Sequence, residues 1–173
     1  MSLKDRRVAI MLDEQYQELE VWYPYYRLVE EGVKVDLVAP KAGAVYSSKL
    51  GYPCVSTVSA NETQGEEYDA VIVPGGWCPD FMRRSEQMVR FIRQCVDAKI
   101  ILAAICHGPW MLCCTDALRG RRATSFMAIR HDVMNAGAKW VDEECVVDGN
   151  LITSRKPNDL PAFCRAILTA LEE

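Results

Sequence analysis

Four strand-length apolar runs, "RRVAIML" (6–12), "VKVDLVAP" (33–40), "YDAVIVPGG" (68–76) and "KIILAAI" (99–105), recur along the chain with helical segments between most of them. Their apolar residues are largely continuous rather than alternating, the pattern of strands covered on both faces. Such strands need helices above and below the sheet, and the opening strand, helix, strand order supplies a first parallel unit. The chain is therefore expected to form a three-layer α/β/α sandwich around a flavodoxin-like, mostly parallel sheet, as one domain spanning 1–173.

The intervening segments fit that frame. "LEVWYPYYRLVEEG" carries apolar and aromatic residues at helical spacing and stops at Gly32. "SEQMVRFIRQCVDA" begins with a capping serine, although Met88 stands where a full capping box would place Glu or Gln. "GPWMLCCTDALRG" reads as a short helix ending at Gly120, and "AVYSSKLGYPCVSTVSA" as short antiparallel strands. A short strand near "ATSF" and a helix over "AIRHDVMNAG" follow. A hairpin in "KWVDEECVVDGNLITSR" turning at Asp148-Gly149, then a helix in "PNDLPAFCRAILTALEE", complete the chain.

Composition removes several function classes. The net charge of −4 and dispersed basic residues argue against nucleic-acid binding, and "RGRR" at 119–122 reads as a solvated loop. No apolar stretch reaches the roughly 20 residues of a membrane span, and the N-terminus lacks signal-peptide features. A cytoplasmic location is expected. The 8 cysteines show no C-x-x-C pair or zinc spacing, so reduced thiols and no metal are expected. Neither a P-loop nor a dinucleotide-binding glycine fingerprint is present, and no cofactor is expected.

Ligands of open parallel sheets bind beyond the carboxyl ends of the strands. Three such segments stand out: "DEQYQELE", "PGGWCPD" and "CHGP". Cys106 ends a buried strand that must turn at once into a helix, the geometry of a nucleophile elbow. A helix N-terminus facing the thiol would lower its pKa. Gly75 and Gly76 close their strand tightly enough for backbone N–H groups to approach a ligand. His107 is adjacent to Cys106, but adjacency alone does not aim one side chain at the other. The other histidine, His131, falls on a helix and is expected at the surface.

The stretches "YPYYRLVEEG", "VIVPGG", "AICHGP", "LRGRRATS", "DVMNAGAKWVDEECVVDGNLITSR" and "NDLPAF" resemble the ThiJ/PfpI superfamily, and within it the PfpI-like intracellular peptidase branch. The resemblance covers essentially the whole chain. It implies Cys106 as nucleophile, His107 as its histidine, and an oxyanion hole from the amides of Gly76 and His107. It implies that Asp80 serves the histidine of a neighbouring subunit, so that a homo-oligomer, dimer or hexamer, carries active sites at subunit interfaces. The substrate would be a peptide or a small carbonyl compound. Gapless matching from "RRVAIML" places Gln17 where family members carry a glutamate beside the cysteine, with Glu14 and Glu18 nearby. Phe126 stands where the family pattern has tyrosine. Trp77, Phe126, Trp110 and Met127 are then candidates for an apolar pocket wall. Three readings follow: a cysteine hydrolase with peptidase, deglycase or glyoxalase-type activity, a non-hydrolytic stress or redox protein with oxidisable Cys106, and an inert binding member of the family.

Overall fold

A computed structural model describes residues 2–173. β1 (Arg7–Met11), α1 (Glu18–Glu30) and β2 (Lys34–Ala39) form the first parallel unit. β3 (Val45–Ser47) and β4 (Pro53–Val55) make a small antiparallel hairpin, and β5 (Val58–Ser59) joins the edge of the main sheet. β6 (Ala70–Val73), α2 (Cys78–Arg83), α3 (Glu86–Asp97) and β7 (Ile101–Ile105) follow. Then come α4 (Pro109–Leu112), β8 (Arg122–Ala123), α5 (Arg130–Asn135), β9 (Lys139–Trp140), β10 (Cys145–Asp148), β11 (Leu151–Ser154) and α6 (Leu160–Glu172).

The main sheet has 7 strands in the order β10-β11-β7-β6-β1-β2-β5, and β10 alone runs antiparallel. The chain steps one way from β1 to β2 and the other way from β6 to β7. Right-handed crossovers then put α1 and α3 on opposite faces. α6 packs with α1, and α2 and α4 pack with α3, so helices cover both faces of the sheet. β1, β6 and β7 are almost wholly buried, as their continuous apolar character requires. On α3 the fully buried Met88, Phe91, Ile92 and Cys95 recur at helical spacing. Each large side chain among them contributes roughly 1.5–3 kcal/mol by leaving water.

Two local expectations are corrected. The helix expected over 108–120 is one turn, α4, and the chain continues from Cys113 to Gly120 in turns. Residues 139–140 pair in parallel with β8 rather than extending the hairpin, whose turn does fall at Gly149 with φ +57. After Gly76, α2 begins at Cys78 with Pro79 in its first turn, where a missing N–H costs nothing. All 8 cysteines are unpaired. Among the described residues no helix is long and apolar enough to cross a membrane.

Candidate active site

The sheet's strand order reverses between β1 and β6, so the crevice of this sheet type lies beyond the ends of β1, β6 and β7. Cys106 stands at the end of β7 with φ +61, a left-handed conformation that costs a non-glycine residue energy. The elbow is held on both sides. Cys106 N–H donates to Ser154 O at 3.0 Å, and Cys106 O accepts from Phe126 N–H at 2.8 Å. Gly108 lets the turn press against the sheet, since a Cβ there would lie 2.2 Å from Val73 O.

The side chain of His107 does reach its neighbour: Nδ1 lies 3.3 Å from Cys106 Sγ. Its ring sits among Trp77, Trp110 and Phe126, with centroids 5.4, 5.2 and 5.1 Å away. Burial, and secondarily the charge of Lys49, lowers the His107 pKa, which keeps the imidazole neutral and able to accept a proton. The backbone N–H groups of Gly76 and His107 favour a charged sulfur, against the burial that opposes it. Gly76 adopts φ +73 and leaves no room for a Cβ, which would fall 2.5 Å from Gln15 O.

The acid beside the thiol is Glu20, not Gln17. Gln17 is the N-cap of α1, and its Oε1 accepts the Glu20 N–H at 3.0 Å. Three residues on, Glu20 lies on the buried stripe that it shares with Val21, Pro24 and Leu28, and its side chain turns inward. Oε2 accepts Gly75 N–H at 2.7 Å, while Oε1 is buried without a hydrogen-bond partner. A Cβ on Gly75 would come within 2.7 Å of both Glu20 Oε2 and Cys106 Cβ, so that glycine is what brings acid and thiol together. The signal was present in the sequence as a carboxylate on the apolar face of a helix.

Burial pushes the Glu20 pKa up to about 8, leaving a neutral acid at pH 7. Burial and then the Glu20 charge push Cys106 up to about 12. This overturns the expected low-pKa thiol. With only 4 residues, α4 offers a small N-terminal field, and removing the thiolate from water outweighs it. The free site therefore holds a thiol beside a carboxylic acid and a neutral imidazole.

Glu18 and Glu14, the other nearby acids, both reach the β3 strand and its hairpin loop. Glu18 Oε1 accepts from Ser48 Oγ at 2.5 Å and from Leu50 N–H at 2.8 Å, and Glu14 Oε2 accepts from Ser47 N–H at 3.0 Å. Asp80 is half-exposed on α2, pairs with Arg84, and does not line the Cys106 pocket of its own protomer. That pocket, of about 210 Å³, is lined by Gln17, Glu20, Gly76, Trp77, Cys106, His107 and Phe126, with Lys49, Lys156 and Pro157 at its rim. Trp110 packs on His107 from outside it, Met127 lines an adjoining pocket, and His131 is exposed.

The sequence profile of the DJ-1/PfpI family matches residues 6–170. A protein of Pyrococcus abyssi named as a deglycase is 41% identical over 96% of this chain and 99% of its own length. The protein named Deglycase PfpI from Pyrococcus furiosus is 36% identical over 96% of this chain and 99% of its own. Among solved structures, a two-domain protein of Anabaena variabilis, with DJ-1/ThiJ/PfpI-like and ferritin-like domains, superposes with a TM-score of 0.93 at 41% identity. The match covers 96% of this chain and 48% of that one, so the present chain spans about half of that protein.

Proposed function

Because this chain belongs to the DJ-1/PfpI family, we propose that it is a PfpI-type cysteine hydrolase that removes carbonyl adducts from amines, a deglycase. The observation that carries this reading is the contact of 3.3 Å between Cys106 Sγ and Nδ1 of an uncharged His107. In the proposed reaction on a hemiaminal adduct the sulfur bonds to the carbon that carries the nitrogen as that C–N bond breaks, and the thiol proton passes through Nδ1 to the departing amine. The hemithioacetal left on sulfur moves its carbon-bound proton to the neighbouring carbonyl carbon through an enediolate, whose oxygen the Gly76 and His107 amides hold. Water then hydrolyses the resulting thioester to a 2-hydroxy acid and frees the thiol. Glu20 acts as a neutral acid that orients the thiol and avoids a second negative charge beside the developing oxyanion.

The test is release of free amine from an α-oxoaldehyde-treated peptide, followed by mass spectrometry with Cys106→Ala alongside. Amine release that disappears in Cys106→Ala is expected. Equal release by both proteins overturns the reading. Cys106-dependent cleavage of the peptide bond instead would replace the deglycase by a peptidase.

A redox role has one feature in its favour. Glu20 Oε1 lies buried and unpartnered in the Cys106 site, where its proton would meet the oxygen of a sulfenic or sulfinic acid. Oxidation confined to Cys106, without turnover of any carbonyl substrate, is the outcome that selects it.

Assembly belongs to the same proposal. Leu19, Tyr26, Tyr52 and the 84% exposed Leu50 leave an apolar face uncovered in the protomer. We take the working form as a cytoplasmic homo-oligomer, dimer or hexamer, in which the half-exposed Asp80 is offered to the site of a neighbouring copy.

A further inference from the structure

The pocket over Cys106 carries charge of one sign at its mouth. Its lining has 3 groups able to bear charge besides the thiol and imidazole: Glu20 at the floor, and Lys49 and Lys156 at the rim. Neither lysine makes an ion pair among the described residues, although most arginines of the chain do. With Glu20 neutral the mouth is doubly positive, and with Glu20 ionised it remains positive.

Both lysines stand on backbone fixed by acids that are themselves tied down. Lys49 N–H donates to Tyr16 O at 3.0 Å, and the next residue, Leu50, is anchored by Glu18 at 2.8 Å. Lys156 O accepts from Asp159 N–H at 2.9 Å, and the carboxylate of Asp159, 4% exposed, clamps the preceding Arg155 at 2.9 Å. Two lysines from unrelated loops thereby line one pocket. The adjoining pocket shares Phe126 and Lys156 and adds Arg130, which also lacks an ion pair. Arg155 there is paired with both Asp142 and Asp159 and adds no positive charge to the mouth. On the floor, the unpartnered Glu20 Oε1 supplies a polar group within a largely apolar wall.

We propose that Lys49 and Lys156 are specificity-determining residues that select carbonyl substrates bearing a carboxylate. This rests on the deglycase reading for the reaction, while the charge selection itself requires no turnover. A carboxylate at the mouth would meet two ammonium groups at once, whose summed attraction exceeds that of a single exposed ion pair and weakens as salt rises. The neutral floor would leave the reacting carbonyl at the thiol.

The test is peptide-resolved alkylation of Cys106 by iodoacetate and iodoacetamide at low salt, with N-acetylcysteine as the free-thiol reference. The iodoacetate-to-iodoacetamide rate ratio at Cys106 is expected to exceed the reference by about tenfold or more, and to fall as salt rises. Lys49→Gln and Lys156→Gln should each reduce the ratio, and the double variant should bring it to the reference value. A ratio at or below the reference, or one that neither variant changes, overturns the proposal. Protection of Cys106 from iodoacetamide locates the carboxylate. Stronger protection by glyoxylate assigns it to the carbonyl fragment, and stronger protection by N-acetylglycine assigns it to the amine fragment. Protection by neither overturns the selection. If no carbonyl substrate is turned over while the alkylation ratio holds, the deglycase reading fails and the anion selection stands.

Discussion

At the scale of the residue, the proposed chemistry rests on Cys106 and on Glu20 beside it, and each differs from what local sequence suggests. Gapless matching favours Gln17 because it counts positions, whereas the helix turns only Glu20, three residues later, into the interior. The Cys106 elbow is legible from strand followed by turn, but its high pKa depends on burial and on a carboxyl from another part of the chain. A carboxyl raised from 4.5 to about 8 binds a proton in the native state that the unfolded chain has released. Stability therefore falls as pH rises through that window, by about 1.4 kcal/mol per pH unit from this group while it is protonated only when folded. Glu20→Gln should flatten the dependence between pH 5 and 8, seen as Tm values that change less with pH than those of the parent. The same variant removes the charge that opposes the thiolate. Cys106 alkylation above pH 8 should become faster, and unchanged rates would mean that the carboxyl does not act on the sulfur.

At the scale of the element, the site is made by ends rather than by interiors. β1, β6 and β7 were readable because buried parallel strands are continuous apolar runs, and α3 because its period is strong. α4 is shorter than the helical composition of "PWMLCC" suggests, because Thr115 Oγ1 donates to Leu112 O and accepts from Ala117 N–H, turning the chain away. α2 leaves no sequence signal, because 6 residues starting at Cys-Pro carry too little periodicity. Gly108 is the joint between β7 and α4, where a Cβ would meet Val73 O at 2.2 Å and Ile105 O at 2.8 Å. Backbone on both sides cannot retreat without parting β6 from β7. Gly108→Ala should cost about 1–3 kcal/mol or more, read as a lower urea midpoint with an unchanged m-value. It should also slow Cys106 alkylation, because the elbow must shift to make room.

At the scale of the whole molecule, the proposed assembly rests on the exposed aromatic residues of α1 and on the position of Asp80 outside its own pocket. Tyr26→Asp should reduce the sedimenting species toward the monomer while leaving the far-ultraviolet circular dichroism intact, since Tyr26 is 63% exposed. Asp80→Asn should keep the assembly and lower kcat by about tenfold or more if its carboxylate serves a neighbouring histidine. Equal kcat in Asp80→Asn removes that role. By itself the sequence determined the parallel sheet, the covered strands and the turn that presents Cys106, because these follow from hydrophobic pattern and short-range backbone geometry. Only the tertiary structure decided which carboxyl meets the thiol, that burial keeps both neutral, and that Lys49 and Lys156 share a rim. Those outcomes depend on dielectric environment and on distances between segments far apart in the chain, and neither quantity is written in local order.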